Sequence, residues 1–330
     1  MKKWNVILGV DVSKLTLDIS CAELRLHIKV DNCSAGFKVF LKWCKSSGID
    51  LKNTLIIMEH TGGYEYRFMQ FCKSSSISYL RVPGLEIKSS MGMVRGKNDK
   101  DDSYRIAKYG EQRINELEAS GPVDPNILEL KQLLAFRKKL VRENAGLSVS
   151  CNEREHMYEP KKSDLIIGIS RKMIAGNEKH LLKVEARIKE LIRADEAMLL
   201  NYRILTSIKG IGPVNAWMTL AYTENFTSFT DGRKYAVYAG VVPFHNRSGT
   251  SLKGKDRVSH MANKELKQEL NQAAKTAIIH DPEIREYAER KMKNKPYPLV
   301  LNNVKFKLIL RMFALVNRGE MNVENYKKAA

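Results

Sequence analysis

The chain has 330 residues, with 56 Lys and Arg against 37 Asp and Glu and a formal net charge of +19. A content of 43 % hydrophobic and 28 % charged residues is that of a globular protein of two or three domains and excludes a disordered tail. No uncharged run reaches the roughly 18 residues of a membrane helix, and residues 6–10 are too short for the core of a signal peptide. Five cysteines (Cys21, Cys33, Cys44, Cys72, Cys151) without a C-x-x-C pair exclude a disulfide framework and a zinc ribbon, so a reduced, cytoplasmic protein is expected. The excess of positive charge predicts a phosphate-backbone partner, DNA or RNA, and no segment reads as a basic amphipathic membrane helix.

In chain order, residues 4–10 are apolar on both faces and predict a buried central strand. Residues 15–20 and 24–30 follow as strands. The second places Leu24, Leu26, Ile28 and Val30 on one face and Arg25, His27 and Lys29 on the other. Phe37, Phe40, Leu41 and Cys44 recur with helical spacing. Residues 54–58 predict a strand, 64–73 a helix with Tyr64, Phe68, Phe71 and Cys72 on one side, and 77–82 a strand stopped by Pro83. Three strands, then helix, strand, helix, strand, predict a mixed α/β sheet. From Pro125 the period becomes helical, with Ile127, Leu130, Leu134 and Val141 on one stripe and Leu133, Phe136, Leu140 and Leu147 beside it. An irregular stretch is expected at 160–177, after which Leu181, Val184, Ile188 and Leu191 resume a helical stripe. These charged-flanked helices predict an antiparallel pair or coiled coil that supports self-association. From Ile204 the chain reads as compact and helical, ending in a helix over Tyr297–Arg318.

Acids occupy three unusual positions in the first third. Asp11 follows apolar residues in the expected sheet centre, where an unpaired carboxylate costs several kcal/mol. Glu59 follows the strand 54–58 and precedes the turn Thr61-Gly62-Gly63, at a strand end that opens into a crevice. In the segment KNDKDDSYRIA at 97–107, Asp99 and Asp102 are spaced to share a helix face, although Asp99 also qualifies as an N-cap with Asp101 and Asp102 in the first turn. Four converging carboxylates require cations between them. Hard oxygen donors with open positions suit Mg²⁺ or Mn²⁺, and a pair of such ions cleaves phosphodiesters.

The C-terminal part carries SIKGIGPVNA at 207–216, a glycine-punctuated hairpin in which Lys209, Gly210 and Gly212 are candidate phosphate contacts. A plain packing corner between helices is the alternative. At 238–260, Pro243 and Gly249 predict an exposed loop in which Arg247, Lys253, Lys255 and Arg257 surround Ser248. Their charges suit a phosphate under attack by the Ser248 hydroxyl. Ser251 is a weaker nucleophile candidate, His245 and His260 are candidate bases, and residues 290–295 form a second basic run.

Taken together, GVDVSK at 9–14, EHTGGY at 59–64, KNDKDDS at 97–103, IKGIGPVNA at 208–216, and GVVPFHNRSG followed by KELKQELNQAA resemble the DEDD transposases of insertion sequence family 110. That family shares its architecture with certain site-specific DNA invertases. The resemblance implies a RuvC-like (ribonuclease H-like) catalytic domain over 1–120, a coiled-coil insertion over 121–200 and a helical transposase domain with a helix-hairpin-helix element over 201–330. It carries the metal-binding acids onto Asp11, Glu59, Asp99 and Asp102 and the nucleophile onto Ser248, which would form a covalent phosphoserine link with DNA. It further implies donor and target DNA, a structured RNA bridging the two, and a dimer or tetramer in which the acids and serine come from the same or from different protomers. Asn98, Ser103, Lys209 and Ala262 stand where the family usually has Thr, Ala, Pro and Gly, respectively; none removes an acid or Ser248.

Two other readings fit parts of the chain. A metal-dependent junction endonuclease would use the acids alone, and a non-catalytic nucleic-acid binder would account for charge and hairpin but not for the acids. An actin-like phosphotransferase shares the opening GVDVS but needs glycine-rich nucleotide motifs that the chain lacks.

Overall fold

The structure, a computed structural model, describes residues 4–90, 92, 98–121, 124–158, 164–248 and 252–323. They form two compact units, Met1–Pro122 and Val123–Ala330.

The first unit is built on a five-stranded mixed sheet of order β3-β2-β1-β4-β5. The strands are β1 Val6–Val12, β2 Thr16–Cys21, β3 Leu26–Asp31, β4 Thr54–Glu59 and β5 Ser78–Val82. β1 is antiparallel to β2 and parallel to β4, and β4 is parallel to β5. The predicted mixed sheet is therefore present, and its order and directions are consistent with a RuvC-like domain. β1 extends past residue 10, so Asp11 lies within the strand.

Helices cover both faces. Strand alternation sends Leu8, Val10, Ile56 and Met58 to one face, where α1 (Ser34–Ser46) and α2 (Tyr66–Ser74) contribute the ring cluster Phe37, Phe40, Phe68 and Phe71. Tyr64 lies outside α2 and is exposed, because the helix begins only after the glycine turn. The opposite face carries Ile7, Leu55 and Ile57, which share a core with Val82, with Ile87 of α3 (Gly84–Ser90), and with Ile106 and Tyr109 of α4 (Asp99–Gln112).

Among the described residues the second unit is helical except for one hairpin. Its long helices are α5 (Pro125–Tyr158) and α6 (Leu165–Ala194). The bonds Arg187–Glu129, Arg137–Glu185, Asn177–Asn144 and Arg154–Asp164 descend one helix as they climb the other, so the pair is antiparallel. The expected irregular stretch is corrected: α6 starts at Leu165, where Asp164 caps Ile167 N and pairs with Arg154. Residues 159–163 lie outside the described residues.

Ile127, Leu130, Leu140, Val184, Ile188 and Ile192 join one core with the remaining helices. These are α7 (Glu196–Ser207), α8 (Pro213–Thr223), α9 (Gly232–Tyr238), α10 (Lys264–His280), α11 (Pro282–Met292) and α12 (Tyr297–Arg318). Phe136 and Val141, expected in the stripes, are largely exposed. No helix among the described residues is long and apolar enough to cross a membrane, and all five cysteines are free thiols.

Candidate active site

The acid-bearing face is assembled by strand alternation and one helix. Ile7, Gly9 and Asp11 alternate along β1 on the α4 side, as do Leu55, Ile57 and Glu59 along β4. α4 lies on β1 in the opposite direction. Gly110 sits over Ile7 and Ile57, Ser103 and Ala107 over Gly9, and the helix start comes to Asp11. The approach at Gly9 is so close that a Cβ there would collide with the Ala107 amide nitrogen and the Ser103 carbonyl oxygen. A buried hydrogen bond of 2.7 Å between Ser20 and Ser103 fixes the same crossing.

Asp99 and Asp102 thus reach Asp11 because the helix cannot slide. The N-cap assignment is corrected: Asn98, not Asp99, accepts the bond from Lys100 N, which leaves Asp99 in the first turn with its carboxylate largely exposed.

Electrostatics tie the four acids together. Burial, then the negative fields of Asp99, Asp102, Glu59 and Asp18, push the Asp11 carboxyl up from 3.8 to about 6. Glu59, half-buried at the end of β4, lies against Gly84, where an added Cβ would strike its Oε1. Asp102 binds Arg105 at 2.6 Å, and Lys29 stands 3.7 Å from Asp99 and 3.0 Å from Asp18. By donor type these oxygens fit a hard divalent cation. Among the described residues no three acid, His or Cys side chains close on a common point suited to a metal. The carboxylates are instead drawn to Lys29 and Arg105, the positive groups within reach.

Several residues that build this site were not singled out from the sequence. Asp18 faces Asp11 across β1 and β2, and Lys29 faces Asp18 across β2 and β3, so the three form a row transverse to the strands. A carboxylate between Leu17 and Ile19 was a legible signal, but its partners His27 and Lys29 follow only from strand register. Glu65 is 2 % exposed and organises the turn after Glu59. It accepts bonds from Gly63 N at 2.8 Å and Thr61 Oγ1 at 2.9 Å. Burial opposes its charge, yet these donors and His60 hold its carboxyl below the ordinary value. Ser103→Ala is expected to cost about 1–2 kcal/mol by leaving Ser20 without its buried partner, read as a lower urea midpoint at unchanged slope.

In the second unit, Gly210 adopts a left-handed φ of 96° and faces α10, where a Cβ would meet Ala273 O and Ala277. Gly212 is the N-cap of α8 and open on its Cα side, and Lys209 is half-buried. The expected loop at 243–258 is corrected to a hairpin of β6 (Pro243–Ser248) and β7 (Leu252–Val258). Alternating residues with an antiparallel partner satisfy backbone groups that a loop would leave to water. Ser248 is the last residue of β6, opposite Leu252, and Arg247 is opposite Lys253. The side chains of His245, Arg247, Ser248, Lys253 and Lys255, and all of Gly249–Ser251, lie outside the described residues; Arg257 and His260 are exposed.

Comparison with known proteins places both units. Residues 8–152 match the DEDD transposase family of IS110 type, and residues 202–289 match the transposase IS116/IS110/IS902 family. The chain is 24 % identical over 328 residues to the pilin gene-inverting protein of Moraxella lacunata, covering 94 % of this chain and 96 % of that one. The protein of the same name from Moraxella bovis is 23 % identical over 326 residues, with 94 % and 96 % covered. A 43.6 kDa protein of insertion element IS110 from Streptomyces coelicolor is 29 % identical over 137 residues, 41 % of this chain and 33 % of that one. With the acid-bearing sheet matched by one profile and the helical unit by the other, in the order of the sequence motifs, the chain belongs to the IS110 family of insertion-sequence transposases.

Proposed function

We propose that the protein cuts and rejoins DNA as the transposase of a mobile insertion sequence, using Asp11, Glu59, Asp99 and Asp102 as ligands of divalent cations and Ser248 as nucleophile. The observation that carries this reading is the placement of Glu59, Asp99 and Asp102 about Asp11, whose carboxyl is pushed up to about 6 by burial and then by their negative charges. A carboxyl perturbed by burial and like charges marks a functional-site candidate, and a bound cation would remove the cost.

Mg²⁺, or Mn²⁺ in its place, would neutralise the scissile phosphate and the leaving oxygen. The protein groups do the rest. Asp11 and Glu59 offer oxygens from adjacent parallel strands, and Asp99 and Asp102 offer theirs from the helix above. The Ser248 oxygen forms a phosphoester as the bridging oxygen of the strand leaves and takes up the serine proton. The bond energy stays in the phosphoserine, so attack by a new strand end reverses the step and frees the serine. Arg247, Lys253, Lys255 and Arg257 hold the DNA backbone at the hairpin, and Lys209, Gly210 and Gly212 hold it at the α7–α8 turn. The coiled-coil pair α5–α6 supports a dimer or tetramer, and a structured RNA guides the choice of donor and target. The full-length likeness to pilin gene-inverting proteins favours inversion of a DNA segment as a second outcome of the same chemistry.

The test is Ser248→Ala on labelled DNA. The wild type is expected to give a protein–DNA adduct that survives denaturing gels. The variant gives none, loses strand transfer by at least about a thousandfold and binds DNA as before. Cleavage by the variant at the wild-type rate would instead establish a junction nuclease that works through the acids alone.

A further inference from the structure

We infer that Lys267 and Lys305 form a nook for a nucleic-acid phosphodiester at the foot of the β6–β7 hairpin. Lys305 lies between Val304 and Leu308 of α12 and is only 4 % exposed. It follows Asn302 by one helical turn, and the Asn302 side-chain amide donates to the Val241 carbonyl at 2.6 Å. That face of α12 is therefore turned to residues 240–242, which lead directly into β6.

Lys267, in the first turn of α10, approaches the same segment from the other side, its Cδ 3.7 Å from where a Cβ of residue 240 would stand. Among the described residues, neither ammonium has a carboxylate within ion-pair distance. Of the acids of α10, Glu265 binds Lys138 at 2.7 Å, and Glu269 is half-buried within the field of Arg137.

A buried ammonium next to a second one is unfavourable unless an anion joins them. Burial, then the charge of Lys267, push Lys305 down to about 8, so it remains largely protonated at neutral pH and carries charge for which the fold supplies no counter-charge. Two lysine point charges on a half-open nook suit a phosphate oxygen rather than a planar carboxylate. The net charge of +19 makes a nucleic-acid backbone the available source. Pairing of Pro243 with Val258 and of Ser248 with Leu252 puts the nook at the base of the hairpin and the serine at its tip. At about 3.3 Å per residue they are roughly 16 Å apart. The lysines therefore anchor the strand and take no part in the attack.

The inference rests on the nucleic-acid reading above, and one experiment separates the two. Full-length wild type, Lys267→Ala, Lys305→Met and the double variant are titrated with a random-sequence DNA duplex and, separately, with single-stranded RNA between about 50 and 200 mM salt. Loss of this one phosphate contact in the double variant is expected to lower the slope of log K against log salt by about 0.9 on the duplex, or about 0.7 on RNA, with each single variant losing a part of it, and the arm that responds identifies the backbone held. Slopes equal to wild type in both arms overturn the nook. If Lys305→Met melts early, Lys267→Ala decides by itself, since its half-exposed side chain leaves the core untouched. A wild type that binds neither nucleic acid would remove the functional reading as well, whereas a binding wild type with unaltered variants removes only the nook.

Discussion

Asp11→Asn is expected to abolish strand cleavage and, at the same time, to raise the stability of the protein at neutral pH. The direction follows from the carboxyl at about 6 in the fold against 3.8 in an unperturbed chain. The native state holds this proton more tightly than the unfolded state. Below pH 4 both carry it and no penalty arises. As pH climbs from about 4 to about 6 the unfolded chain ionises first, and native stability falls by that difference. Above about 6 the whole penalty is present. Two pH units correspond to about 3 kcal/mol; because Asp11 keeps part of its hydration, about 1–2 kcal/mol is the expected gain for the asparagine.

Cleavage should fall by at least about a thousandfold, because the proposed metal site would lose one of its ligands and with it charge stabilisation at the reacting phosphate. A further readout needs no turnover. Saturating Mg²⁺ should raise the melting temperature of the wild type, by the equivalent of about 2.7 kcal/mol at a hundredfold excess over Kd, and leave the variant nearly unmoved. An Asp11→Asn variant that cleaves normally, or that melts below the wild type at pH 7.5, would contradict the assignment of Asp11 to a strained ligand set.

Gly9→Ala should be nearly as damaging although it removes no functional group. The new methyl would meet two backbone atoms of α4, Ala107 N and Ser103 O, and neither can rotate away. Forcing the helix off the sheet is expected to cost about 2–4 kcal/mol, at the upper range of overpacking effects. It also carries Asp99 and Asp102 away from Asp11, and a displacement of about 1 Å is enough for a hundredfold loss of activity. Gly110→Ala is the contrast on the same helix. Its methyl would meet side chains and no backbone: the Ile57 Cδ1 can turn aside, the stiffer Ile7 Cγ2 must shift slightly, and alanine adds up to about 1 kcal/mol of helix propensity, so a smaller loss is expected. Denaturant melts of both variants, read beside the Mg²⁺-induced shift, separate the two cases. Equal losses for Gly9→Ala and Gly110→Ala would show that general crowding, not the backbone crossing at Gly9, sets the position of the acids.

Much of this was legible in the residues. The strands read at 4–10 and 54–58 were legible because buried central strands are nearly continuous apolar runs, although the first is shifted to Val6–Val12; the strand at 77–82 was legible from its apolar residues before Pro83, and the last helix because Pro296 and Gly319 mark its ends. Asp11 and Glu59 stood out because an acid at the end of such a run is costly. The start of α6 was missed because its first turns carry Gly168 and Gly176 and are stabilised by Asp164 and Arg154 across the helix pair, not by an apolar stripe. The β6–β7 hairpin was read as a loop because its residues are charged and glycine-rich. Such strands declare themselves only by pairing.

The sequence by itself determined the alternation of strands and helices in the first unit, the presence of acids where apolar chain ends, and the charge that calls for nucleic acid. These depend on composition and local period, which are properties of neighbours along the chain. Only the tertiary structure decided that α4 runs back along β1 over Gly9, that Asp18 and Lys29 complete a row beside Asp11, and that Lys305 is buried beside Lys267 without an acid. Each of these joins residues far apart in sequence through strand register or helix packing, and no local pattern encodes such a distance.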